Sequence, residues 1–209
     1  MNVLIIASGN HKSPDRLTKY ACWADYIICA DGGYDHAKAA GITPDILVGD
    51  FDSVREDVSD FFKKIQLPTV KDETDSLYAL RFAFSKGAKH IVLYGGLGDR
   101  YDHSYANMCL LHEAMVREIP MVLTDGTTEV YLTDSHLQLE KPVGTTVSVY
   151  AFSDCCAGVT LEGLKYPLEN AVLNKYNIIG TSNEFISQKA EFFVSNGNLL
   201  IICNENEPY

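Results

Sequence analysis

Asp50 and Asp52 stand two residues apart in Gly49-Asp50-Phe51-Asp52-Ser53, directly after the apolar run at residues 46–48. In extended chain such a pair points to one side, about 6.5–7 Å apart, so both carboxylates reach one cation or adjacent positions around it. Without compensation, clustered carboxylates repel and one takes up a proton. A divalent ion removes that cost, and hard oxygen donors with room for phosphates describe a magnesium site better than a zinc site. The same residues also suit an exposed turn that caps a following helix.

Loops of similar chemistry recur along the first half. Ser8-Gly9-Asn10 follows residues 3–6, and Asp31-Gly32-Gly33 follows residues 27–29. Thr69-Val70 runs into Lys71-Asp72-Glu73-Thr74-Asp75, and residues 91–94 into Gly95-Gly96-Leu97-Gly98-Asp99-Arg100-Tyr101-Asp102-His103. Turns favour Gly and Asp in any case, so it is the repetition at successive strand ends that carries weight. Thr74 is placed to cap a helix opening at Asp75, which either complements the helix dipole or supplies a third metal ligand. Lys71 offers phosphate a mobile point charge and Arg100 a planar fork. Glycines ahead of a helix starting near Asp102 free backbone N–H groups to face an anion. His103 either joins that site or packs on the sheet. No Gly-x-x-x-x-Gly-Lys-[Ser/Thr] occurs, and no Gly-x-Gly-x-x-Gly follows a strand, which excludes a Walker-type ATPase and a standard dinucleotide enzyme.

The elements that must position these loops are legible in the hydrophobic pattern. Apolar runs at residues 3–6, 27–29, 46–48, 91–94 and 121–123 read as strands buried on both faces. Between them Leu77, Leu80, Arg81 and Phe84 fall at helical spacing, as do Met108, Leu111 and Met115 ahead of Pro120. Alternating strands and helices imply crossover units and a mainly parallel sheet. After Gly126 the texture changes to period two at residues 137–140 and 147–151, and no helical stretch follows Glu118. Ser195-Asn196-Gly197-Asn198 reads as a hairpin turn joining residues 191–194 to 199–203. The expected architecture is an α/β domain over residues 1–126 with a Rossmann-like sheet, followed by an all-β sandwich over residues 127–209.

A net charge of −11 over 209 residues argues against a nucleic-acid partner, which needs clustered Lys and Arg. It does not exclude ATP, because a bridging magnesium ion lets phosphate sit among carboxylates. No run approaches the ~18 apolar residues of a membrane span. The apolar N-terminus is too short for a signal sequence and lacks basic flanks. A cytoplasmic protein away from membranes is expected, with its six cysteines reduced and serving as packing residues.

Together, Ala30-Asp31-Gly32-Gly33, Gly49-Asp50-Phe51-Asp52-Ser53, residues 71–75 and residues 95–103 with Asn107 resemble the motifs of the thiamine pyrophosphokinase family in order and spacing. Gly163-Leu164-Lys165-Tyr166-Pro167-Leu168 and Thr181-Ser182-Asn183-Glu184-Phe185 resemble the second half of its bacterial members. The resemblance implies a nucleotide-binding catalytic domain, a thiamine-binding and dimerisation domain, and a homodimer that takes ATP and thiamine as substrates. It implies transfer of the pyrophosphoryl group of ATP to the thiamine hydroxyl, with Asp50, Asp52 and Asp75 holding Mg2+. Asp31, Lys71, Arg100 and Asp102 would surround the phosphates and the reacting hydroxyl, with Asp102 one choice of base. Gly9, Asn10, Gly32, Gly33, Ser53, Thr74, Gly95, Gly96, Gly98 and Asn107 would complete the nucleotide site. Asp102, His103, Tyr166, Ser182 and Asn183 would face thiamine. Some members stack thiamine on a tryptophan of the second domain; Trp23 lies in the first, which leaves Tyr166 or Phe185 as the platform. Asp50-Phe51-Asp52 alone also suits a nucleotide-sugar transferase or an aspartyl phosphatase. A phosphatase pair follows the first strand, however, and a transferase leaves residues 71–75 and Ser182-Asn183 unused. The non-enzymatic alternative is a nucleotide sensor.

Overall fold

The structure, a computed structural model, describes residues 1–52, 54, 63–68, 72–98 and 100–205. It divides into two units, Met1–Gly126 and Thr127–Tyr209.

The first unit runs β1 (Asn2–Ile6), α1 (Pro14–Trp23), β2 (Tyr26–Ala30), α2 (Gly33–Ala39), β3 (Ile46–Gly49), β4 (Lys63–Gln66), α3 (Asp75–Ser85), β5 (His90–Tyr94), α4 (Tyr101–Met115) and β6 (Met121–Thr124). Its strands are parallel, in the order β6-β5-β1-β2-β3-β4. Val3, Leu4, Ile5 and Ile6 are all fully buried. Leu4 and Ile6 meet Leu17 of α1 and Tyr34 and Ala37 of α2 in one cluster. Alternation turns Val3 and Ile5 to the opposite face. Each such side chain contributes about 1.5–3 kcal/mol on burial, which is why the runs show no polar alternation.

Local signals end the helices. Pro14 opens α1, where its missing N–H leaves nothing unsatisfied. Thr74 caps α3 as expected, its Oγ1 accepting the Leu77 N–H at 3.2 Å. The buried stripe of α4 is Asn107, Leu110, Leu111 and Ala114, with Met108 and Met115 at its margins. The strand β4, Lys-Lys-Ile-Gln, carries no apolar signal; it pairs with β3 at the end of the strand order, where lysines discourage further pairing. Because β1 lies between β2 and β5, the chain leaves β1 and β5 toward opposite sides. The loops after those two strands therefore flank a crevice, the position where open α/β sheets bind ligands.

The second unit consists of β7 (Thr128–Thr133), β8 (His136–Glu140), β9 (Thr146–Ala151), β10 (Cys155–Glu162), β11 (Leu168–Asn174), β12 (Asn183–Glu184), β13 (Lys189–Phe193) and β14 (Leu199–Asn204). They form antiparallel arrays β12-β9-β14-β7 and β11-β10-β13-β8. Both arrays send residues into a single core, Val147, Val149 and Ile201 from one, Leu161, Leu173 and Phe192 from the other.

The hairpin expected around Asn196-Gly197 does not form. Gly197 has the positive φ of such a turn, +92°, but β13 pairs with β8 and β10 while β14 pairs with β7 and β9. Ala190, Phe192 and Val194 share a core with Leu199, Ile201 and Cys203. Strands in separate arrays bury both sets against each other. The turn itself docks on β10, where the Ala157 N–H reaches the Asn196 carbonyl at 2.9 Å.

All six cysteines are free; Cys29, Cys156 and Cys203 are buried, whereas Cys22, Cys109 and Cys155 are exposed rather than packed. Among the described residues no helix is long and apolar enough to cross a membrane.

Candidate active site

The carboxyl ends of β2 and β3 bring Asp31, Asp50 and Asp52 together, each offering a carboxylate oxygen within 4.8 Å of the others. Asp31 is held by its own backbone. It takes a left-handed φ of +47°, donates its N–H to the Val48 carbonyl at 2.8 Å and accepts the Tyr34 N–H at 3.1 Å as α2 begins. Asp50 and Asp52 do not converge through strand alternation. Phe51 between them has φ +68°, and the Asp52 N–H turns back toward Asp50 Oδ1 at 3.4 Å. A tight turn thus achieves what extended geometry was expected to do.

The three carboxylates line a cavity of about 400 Å³ with Thr74, Asp75 and Ser76 of the α3 start and with Arg100 and His103. Asp75 shares this cavity but not the close carboxylate group, in which Asp31 takes the third place. Burial falls from Asp31 through Asp50 to exposed Asp52, so the oxygens open on one side. A hard divalent cation with phosphate or water on its outer face fits such a set.

An adjoining cavity of about 210 Å³ shares Ala7, Ser8, Ser76, Arg100 and His103 with the first and extends over Gly9, Asn10 and the loop after β5. The two glycine loops interlock. The Gly9 N–H donates to the Gly95 carbonyl at 2.8 Å and the Asn10 N–H to the Leu97 carbonyl at 2.7 Å. A Cβ on Gly9 would stand 2.3 Å from Gly95 O, and Gly95 itself has φ +74°; neither position accepts a side chain. Buried Asn107 donates from Nδ2 to the Gly96 carbonyl at 2.8 Å, and Ser104 Oγ accepts the Gly98 N–H at 3.1 Å. Asn107 therefore fixes the loop's shape from beneath. Gly32 and Gly33 join neither lining; Gly32 caps α2, and Gly33 packs where a Cβ would meet Ile6 O at 2.0 Å.

Arg100 pairs with Asp102 at 2.8 Å, both side chains being largely exposed. This hydrogen bond and the His103 N–H hold the Asp102 carboxyl down at about 2. Asp102 lies in neither lining, and a carboxylate so acidic is a weak proton acceptor near neutrality. Ser53, Lys71 and Asp99 lie outside the described residues.

Two histidines with no part in the sequence reading brace the first glycine loop. The rings of His11 and His36 stack at 3.6 Å and 11°. His11 Nε2 lies 2.8 Å from the Ala7 carbonyl, which only accepts, so Nε2 carries the proton, and buried Nδ1 has no hydrogen-bond partner among the described residues. Burial lowers the His11 pKa to about 4 and also lowers that of His36, which bonds to the Ser8 backbone. Ser8, Ser76 and Ser104, which line the cavities, were also unassigned in the sequence; their places at a strand end and in two first helical turns were the available signal.

In the second unit Phe185 is fully buried and has no face for a ligand, while Tyr166 is 62% exposed. Ser182 is exposed with φ +57°, its N–H donating to Ser148 Oγ at 3.1 Å. The Asn183 side chain is buried against the Tyr166 backbone.

Comparison with known proteins adds independent findings. A family model described as thiamin pyrophosphokinase, catalytic domain, matches residues 17–123, and one described as thiamin pyrophosphokinase, vitamin B1 binding domain, matches residues 134–200. The chain is 30% identical over 211 residues to thiamine pyrophosphokinase of Bacillus subtilis, spanning 97% of this chain and 98% of the relative. It is 25% identical to thiamin pyrophosphokinase 1 of Caenorhabditis elegans over 89% of this chain and 81% of the relative. Among solved structures, the B. subtilis thiamine pyrophosphokinase superposes with a TM-score of 0.87 at 28% identity, covering 99% of this chain and 100% of that one. The Candida albicans thiamin pyrophosphokinase, at 17% identity and a TM-score of 0.80 over 98% and 89%, shares the fold.

Proposed function

The chain belongs to the thiamin pyrophosphokinase family, and from that premise we propose how its own residues carry the reaction. It transfers the pyrophosphoryl group of ATP to the hydroxyl of thiamine, giving thiamine diphosphate and AMP. In one in-line displacement the thiamine oxygen bonds to the β-phosphorus as the bond from that phosphorus to the α-phosphate bridging oxygen breaks, and AMP leaves with that electron pair. Positioning and charge neutralisation dominate such transfers.

The convergence of Asp31, Asp50 and Asp52 carries this assignment of roles. These residues, with Asp75 at the same cavity, would hold Mg2+, which when bound neutralises charge on the transferring phosphates. Gly9, Asn10, Gly95, Gly96 and Gly98 cradle the nucleotide phosphates on a loop pair shaped by Asn107, and Arg100 and Lys71 supply cationic contacts. A carboxylate of the cavity accepts the hydroxyl proton; paired and outside the cavities, Asp102 is a poorer choice than Asp31 or Asp75. Tyr166 and Ser182, both exposed on the second unit, contact thiamine, and buried Asn183 supports Tyr166 from beneath; His103, which lines both cavities of the first unit, is assigned to thiamine as well. A Rossmann-like first unit and a sandwich-like second unit belong to the same reading, supported by the parallel strand order and the single shared core. So do the cytoplasm as its compartment and the homodimer. Exposed Tyr176, Ile178 and Ile179 on the second unit support self-association.

Incubation with ATP, magnesium and thiamine is expected to yield AMP; ADP in its place would show a simple kinase, and no product a nucleotide sensor. Asp52→Asn is expected to lower kcat by roughly 10²–10³-fold while melting stays cooperative. Wild-type turnover in that variant would remove Asp52 from the metal site.

A further inference from the structure

One side chain holds the backbone of Tyr166. Asn183 Oδ1 accepts the Tyr166 N–H at 2.9 Å, and Asn183 Nδ2 donates to the Tyr166 carbonyl at 2.7 Å. The amide thus engages residue 166 as the peptide of a neighbouring strand would, satisfying donor and acceptor at once. Oδ1 also accepts the Glu184 N–H at 2.9 Å, which fills both of its lone-pair positions. Asn183 is only 7% exposed.

The two segments are joined over their neighbours as well. Leu164 bridges Phe185, the Lys165 N–H donates to the Glu184 carbonyl at 2.9 Å, and the Ile186 N–H to the Gly163 carbonyl at 3.1 Å. Left-handed Ser182 turns the chain into this ladder. Above it the Tyr166 ring remains 62% exposed, with Lys165 Nζ 5.9 Å from its centroid and tied to Glu184 Oε2 at 3.1 Å. The backbone beneath the ring is fully engaged, and the ring itself faces solvent.

We propose that Asn183 is a positioning residue for thiamine, acting through Tyr166 by fixing the backbone from which the aromatic ring is presented. The proposal rests on the reading above that Tyr166 contacts thiamine. Asn183 keeps one Nδ2 hydrogen, on a side chain enclosed by the segments it joins, so its contribution to recognition runs through the ring. The consequence is a dependence that a direct ligand would not show: once the ring is gone, the clamp has nothing to present.

A double-mutant cycle in the full-length enzyme tests this, with KM for thiamine and for ATP measured separately. Tyr166→Ala is expected to raise the thiamine KM by roughly tenfold through lost aromatic contact. Asn183→Ala is expected to do so to a similar extent, with the ATP KM unchanged. The double variant should match the worse single variant, because the two residues act as one unit. Multiplying effects would overturn the proposal, since Asn183 would then contribute independently of the ring. An unchanged thiamine KM in Tyr166→Ala would instead overturn the assignment of Tyr166 to thiamine, and the proposal with it. A further measurement needs no variant: the Tyr166 amide is expected to resist hydrogen exchange in the wild-type chain despite its exposed side chain. Exchange at the rate of an open loop would show that the clamp does not persist in solution.

Discussion

At the residue scale, the proposed metal site turns on which carboxylates would share a cation, and the short separations put Asp31 beside Asp50 and Asp52. Asp31→Asn is therefore expected to raise the magnesium concentration for half-maximal turnover more than Asp75→Asn does. A magnesium titration of both variants checks this, and the reverse order would return the third ligand position to Asp75. His11 makes a separate prediction about pH. Burial holds its native pKa at about 4, below the ordinary value of 6.5. Between those values the unfolded chain binds a proton that the native chain refuses, so stability is full above 6.5 and falls as pH drops toward 4. His36 shifts in the same direction. Replacing the titrating ring in His11→Gln is expected to flatten the fall in melting temperature from pH 7 to pH 5. An unchanged slope would mean that other groups produce it.

At the scale of elements, helix starts and glycine loops do the positioning. Thr74 caps α3 one residue before Asp75, so Thr74→Ala is expected to cost about 1 kcal/mol. In a chain of this size that corresponds to a melting temperature lower by roughly 2–4 °C. Asn107→Ala leaves the Gly96 carbonyl without its buried donor, at a cost of about 1–3 kcal/mol. The expected kinetic result is a raised ATP KM with the thiamine KM unchanged, because the disturbed loop is the one proposed to cradle the phosphates. Equal rises in both constants would indicate general loosening of the fold.

For the whole molecule, the exposed apolar side chains of the second unit have to be explained. Tyr176 is 90% exposed, and Ile178 and Ile179 stand beside it. Sedimentation at micromolar concentration is expected to give twice the chain's mass, and Ile178→Asp combined with Ile179→Asp is expected to shift it toward monomer. A fully active monomer would separate self-association from catalysis. The net charge of −11 is no obstacle to an ATP site, since the carboxylates that the proposed cation would neutralise are part of that charge.

Much of this was readable from sequence because it is local. Runs such as Val3-Leu4-Ile5-Ile6 declare strands covered on both faces, Thr74 declares a helix start, and Gly and Asp after each strand declare loops able to meet phosphate. Family membership was legible for the same reason, in short motifs held in order. Nothing local announced β4, whose Lys-Lys-Ile-Gln owes its strand to pairing with β3. Asn196-Gly197 marked a turn between residues 191–194 and 199–203, but such a local signal is silent on which strands become neighbours. Closing one core over both inner faces placed them in separate arrays. Likewise, the approach of Asp31 to Asp50 and Asp52, and the grip of Asn183 on Tyr166, join residues far apart in the chain. Steric and periodic preferences are set within a few residues, whereas pairing and convergence follow from how the whole chain buries its apolar surface, and only the tertiary structure decides that.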